Sequence, residues 1–225
     1  MESNNDAIKL SQKVEKDWLH LRPFVCDGNP FNCQVFIVGF NPATTIENSK
    51  FTDFFSDGVF DKEKFTAIYQ SARTEQRKKA GKDENKLSKT RKGIDFISTH
   101  LEKEGIKTLE TNVYFKPTSK AKELKKEDRN ANQFLELLSL FKSSGNPKVI
   151  FIHGGKTLKT FVKMLKLEGD FEVKSESIGT HTFKLNNQNV TLLWTYHLSF
   201  QKMATEEMRK KVVDTIKKSV MNPVS

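Results

Sequence analysis

The chain has 225 residues, 36% of them hydrophobic, enough to bury one good core and little beyond it. A net charge of +10 and a pI near 9.4 favour a polyanionic partner, because each phosphate met by Lys or Arg releases counterions. No apolar run approaches a membrane span, the amino terminus MESNNDAIKL is acidic and polar, and Cys26 and Cys33 have neither metal-ligand nor disulfide-framework spacing. The expectation is a monomeric intracellular protein, cytoplasmic or, in a eukaryote, nuclear, with no membrane, metal or cofactor. It is expected to be one domain, 1–225, with a lysine-rich insertion at about 73–91.

In chain order, Asp6 to Leu21 places Ile8, Leu10, Val14, Trp18 and Leu21 on a helical face. Pro23 and Asp27-Gly28-Asn29-Pro30 mark a loop, and Val35 to Val38 is the first strong strand, broken by Gly39-Phe40-Asn41-Pro42-Ala43. An aromatic segment with Phe51, Phe54, Phe55 and Phe60 leads into a helix from Lys62 to about Lys79. Arg73 to Arg91 is almost all polar and reads as a solvated insertion; a helix capped by Ser88 or Thr90 then turns Ile94, Ile97 and Leu101 inward. Strands are expected at Thr108–Phe115 and Val149–His153, each followed by helical sequence, with a short hairpin of Phe171–Val173 and Phe183–Leu185, a strand at Val190–Thr195, and a closing helix from Glu206 to Val220. The alternation predicts an α/β fold: three layers, α/β/α, around a mostly parallel four-stranded sheet.

Ligands of parallel α/β sheets bind at the carboxyl ends of the strands. Those ends carry Asn41, Asn112 and His197: an amide near a water, an amide able to read a donor–acceptor edge, and an imidazole able to steady an oxyanion. That chemistry suits hydrolysis of a group attached to a heterocycle.

In order along the chain, GFNPA (Gly39–Ala43), TNVYFKP (Thr111–Pro117), VIFIHGGKTLKTF (Val149–Phe161) and YHLSF (Tyr196–Phe200) resemble the motifs of the uracil-DNA glycosylase superfamily. The first is closest to the GxNPG form of the mismatch-specific and single-strand-selective branches. The resemblance implies a uracil-DNA glycosylase-like fold and a hydrolase, a DNA N-glycosylase of base-excision repair, that flips uracil or another damaged or modified base out of single- or double-stranded DNA and breaks its glycosidic bond. It implies that Asn41 holds the attacking water and His197 donates to the base oxygen. Gly39, Phe40, Pro42, Ala43 and Ser199 would shape the base site, Phe54 or Phe55 would stack on the base, and Asn112 would read its edge. Leu198, Phe200, Gln201 and Lys202 of the last motif would meet DNA, with Lys156 beside the glycine turn; Leu198, standing where the family has proline, would be a wedge, and Phe200 or Met203 would fill the vacated stack. An amide cannot take up a full proton, so a slow enzyme is implied. The loss of that proline leaves a rival reading, a weak or inactive member of the same fold that binds DNA or a protein partner; a third reading, a nucleoside hydrolase, sits poorly with the basic charge.

Overall fold

The computed structural model describes residues 2–46, 49–82, 87–118, 120–174 and 177–222. Among these, six strands form one mixed sheet in the order β1 (Phe24–Cys26), β5 (Thr108–Asn112), β2 (Val35–Gly39), β6 (Val149–His153), β8 (Gln188–Thr195) and β7 (Gly179–Leu185). β5, β2, β6 and β8 run parallel, while β1 and β7 add antiparallel edges. A separate two-stranded ribbon pairs β3 (Phe55–Ser56) with β4 (Val59–Phe60).

The sheet is therefore six-stranded and mixed, in place of the four mostly parallel strands expected. The hairpin expected between Phe171–Val173 and Phe183–Leu185 does not form; β7 pairs with β8 across Asn186 and Asn187, both at positive φ. Asparagine tolerates that left-handed conformation, which suits a tight hairpin turn whose twist matches its strands. Phe171 instead packs its ring against His181 and Trp194.

Strand alternation sends side chains to opposite faces of the sheet. Phe36 and Val38 enter a core shared with Leu10 of α1 (Glu2–Lys13), Tyr69 of α2 (Lys62–Lys79), Leu137 of α4 (Asn132–Leu140) and Phe161 of α5 (Gly155–Leu165). Val35 and Ile37 enter a second core with Ile97 of α3 (Lys89–Glu102) and Ile216 of α6 (Glu206–Met221). Burying large apolar side chains at ~1.5–3 kcal/mol each holds both helical faces to the sheet.

The stretch 73–91 is not a continuous loop. Arg73 to Lys79 continues α2, which Asp61 caps at its amino end and whose last turn is basic, a favourable pairing with the helix dipole. Ser88 caps α3, its hydroxyl accepting from the Arg91 backbone N–H at 3.0 Å. Residues 83–86 lie outside the described residues. No helix among the described residues is long and apolar enough to cross a membrane.

Candidate functional site

The parallel strands β5, β2, β6 and β8 all end on the same side, and a cavity of about 370 Å³ opens there. Asn41, Asn112 and His197 all line it, as do Gly39, Phe40, Pro42 and Ala43. The backbone explains the convergence. Beyond β2 and β5 the two segments still pair, with Val113 N–H donating to the Gly39 carbonyl, Tyr114 to that of Phe40 and Thr118 to that of Pro42, each at 3.0 Å.

Asn41 is held by its amide nitrogen, which donates to Thr118 Oγ1 at 2.7 Å and to the Pro42 carbonyl at 3.3 Å. The Thr118 hydroxyl spends its proton on the Lys120 carbonyl at 2.9 Å, so toward Asn41 it accepts, which fixes the amide's orientation. The Asn41 Oδ1 is left as the acceptor.

His197 accepts the Ser199 backbone N–H at Nδ1, 3.3 Å away, and Ser199 Oγ lies 2.8 Å from the same nitrogen. A backbone N–H can only donate, so in the neutral ring the proton sits on Nε2. The ring is open to solvent, yet the surrounding protein desolvates it and lowers its pKa below the usual imidazole value. It is thus a neutral donor.

Thr108, Glu110 and Asn112 share one face of β5. Thr108 donates to Ser98 of α3 at 3.0 Å, so that face looks toward α3, and one turn into α3 Arg91 clasps Glu110 with both Nη groups. Arg91 also bonds Asp95 at 2.8 Å. These two carboxylates outweigh burial and raise the Arg91 pKa. Arg22, opposite, donates to the carbonyls of Ala43 at 2.7 Å and Thr44 at 3.3 Å, with its guanidinium over the rings of Phe65 and Tyr69. Burial lowers its pKa to about 10, still leaving it a cation at neutral pH.

His153 ends β6, buried, with its ring centroid 5.0 Å from that of His197. Burial first, then His197 and Arg91, lower its pKa to about 3. Gly39 makes room at the centre, since a Cβ there would lie 2.6 Å from Asn112 Oδ1 and 3.4 Å from His153 Nε2.

Several expected positions fall elsewhere. Phe54 and Phe55, at 5% and 2% exposure, are core residues packed with Phe24, Phe60 and Phe65; neither lines the cavity, so no base stacks on them. Phe40, Phe24, Phe65 and Tyr69 are the aromatic residues that line the cavity, and Phe40 has the Lys156 ammonium 4.1 Å over its ring and Tyr114 edge-on. Leu198 is fully buried in the α3/α6 core, where the absent Cβ of Gly93 gives it space, and Met203 is buried beside it, so neither can enter a base stack. Phe200 is 44% exposed and stacks on Tyr196, while Gln201 and Lys202 lie on the exposed side of the following turn.

Arg22, Arg91, Glu110 and His153 were not expected at the site. A charged residue two positions from Asn112 on an otherwise buried strand is the one signal that the sequence carries for them.

No protein-family model matches the chain, and the search of curated proteins finds no relative.

Proposed function

We propose that the protein is a DNA base glycosylase of uracil-DNA glycosylase type, hydrolysing the glycosidic bond of uracil or another damaged or modified base turned out of DNA. The observation that carries this reading is the meeting of Asn41, Asn112 and His197 around one cavity, three residues from distant parts of the chain in the order of the family's motifs. The six-stranded sheet between two helical faces is compatible with the three-layer fold of that superfamily.

In this mechanism the bond from the sugar's C1′ to the base breaks, and the base leaves with the bonding pair. His197 Nε2–H donates to the base oxygen on which that charge gathers. A water held by Asn41 Oδ1 adds to the oxocarbenium at C1′; its surplus proton passes to the departed base or to solvent, because the amide takes none. The neutral state of His197 suits this role, since it donates without protonating the base outright. Lys156 and the basic surface meet phosphate, and exposed Phe200 is the apolar side chain available to fill the stack that the base leaves.

The test is incubation of matched single- and double-stranded oligonucleotides, carrying uracil, hypoxanthine, xanthine or a normal base, with the protein and with Asn41→Ala, followed by alkaline cleavage of abasic sites. Strand cleavage that Asn41→Ala abolishes, with DNA binding retained, is the expected result. Salt-sensitive binding without cleavage would instead favour the non-catalytic reading, for which the substitution of the motif's proline by core-buried Leu198 is the specific observation.

A further inference from the structure

The inner end of the cavity carries charge that a water-holding amide, a base-reading amide and an imidazole donor do not need. In the β2–β5 register Gly39 faces Asn112, and one step deeper Ile37 faces Glu110; both Ile37 and Glu110 line the cavity. Two residues of strand amount to ~7 Å, so the cavity reaches that far below the level of Asn112. A single six-membered ring engaging Asn112 stops short of Glu110, whereas a fused bicycle spans the interval.

The polar groups along the cavity are unevenly satisfied. Both Glu110 oxygens take one N–H each from Arg91, which leaves each oxygen acceptor capacity and holds the carboxylate rigid. Arg91 Nε and His153 Nδ1, both buried, have no hydrogen-bond partner among the described residues, and neither has the Asn112 amide. A carboxylate repels a carbonyl oxygen placed against it and welcomes an N–H.

We propose that the cavity takes a purine in preference to a single-ring pyrimidine, with the Glu110 carboxylate, fixed by Arg91, accepting the ring N–H of an oxopurine's six-membered ring. That orientation leaves the five-membered ring and its glycosidic nitrogen toward Asn41 and His197 and puts the base oxygen, which neighbours the N–H taken by Glu110, at the inner end; for a purine, His197 Nε2–H therefore donates to a ring nitrogen, over which the leaving base's charge is also spread. The proposal rests on the reading of the cavity as a base pocket, and makes Glu110 its specificity-determining residue.

Free bases test this without requiring turnover. The full chain is titrated with hypoxanthine, 1-methylhypoxanthine and uracil, with binding followed by saturation-transfer NMR or calorimetry. Expected are hypoxanthine binding at least tenfold tighter than uracil, a loss of about tenfold on methylation of N1, and a similar loss of hypoxanthine affinity in Glu110→Gln with uracil affinity unmoved. Uracil binding as tightly as hypoxanthine, indifference to N1 methylation, or no binding of either base overturns the proposal. Should Glu110→Gln not fold, the wild-type ranking and the N1-methyl comparison decide alone. Hypoxanthine binding through N1–H without cleavage of any oligonucleotide keeps this inference and removes the glycosylase reading; uracil excision with a uracil-preferring pocket does the reverse.

Discussion

Gly39 and Asn112 are register partners at the ends of two parallel strands, so close that a Cβ on Gly39 would lie 2.6 Å from Asn112 Oδ1. The glycine thus sets the position of the amide. In Gly39→Ala the flexible Asn112 side chain must turn away, since the backbone pair cannot. If the protein is the glycosylase proposed above, excision should fall at least tenfold while the melting temperature moves by no more than a few degrees. Single-turnover cleavage and a thermal melt on the same sample check this; a large drop in melting temperature with unchanged cleavage would show that the backbone, and not the amide, had yielded.

The neutral state of His197 predicts a pH profile. Its pKa is lowered by desolvation, so the ring stays neutral as the pH falls to the ordinary imidazole value of 6.5. On the proposed glycosylase reading, excision should be flat across neutrality and fall only in more acid solution, and His197→Ala should cost about 10²–10³-fold. An acid limb centred at or above 6.5 would show that the ring is not desolvated.

His153 predicts a dependence of stability on pH. Its pKa is about 3 in the folded chain against 6.5 when exposed, so between those values the unfolded chain holds a proton that the folded chain lacks. Stability is then full above the upper value and lost as the pH falls through this window, by up to ~1.4 kcal/mol per pH unit. Urea melts at pH 7.5 and pH 5 should show the loss, and His153→Gln should flatten it; His197, shifted the same way, accounts for part of what persists.

Leu198 and Phe200 stand two residues apart and should fail differently. Leu198→Ala leaves a cavity against Gly93 and should cost ~2–5 kcal/mol in urea denaturation. Phe200→Ala, at an exposed ring, should leave stability nearly unchanged and weaken binding to DNA. Equal losses of DNA affinity in both, at equal stability, would reject this division.

The sequence makes the strands and helices legible where apolar periodicity is strong: the helix expected from Lys62 to about Lys79 and the strand Val149–His153 agree with α2 and β6. It makes β1 invisible, because three buried residues are too short a run to carry a period. Asn41, Asn112 and His197 were legible because strand ends advertise polar residues. Arg91 was not, because in a run of charged residues nothing in the sequence marks the one that turns inward; only its pairing with Glu110, nineteen positions on, does so. Phe54 and Phe55 misled for the converse reason, that an aromatic ring looks the same whether it is to stack on a ligand or on other rings.

The walls of the cavity come from segments near residues 22, 39–43, 65–69, 88–94, 110–112, 153 and 197, nearly the whole length of the chain. No local opening of one segment preserves the site, so whatever binds there binds the folded chain and not the unfolded one. A ligand at a hundred times its dissociation constant should then add ~2.7 kcal/mol to global stability. Thermal shift is accordingly a screen for ligands of this cavity that presupposes neither a reaction nor a base.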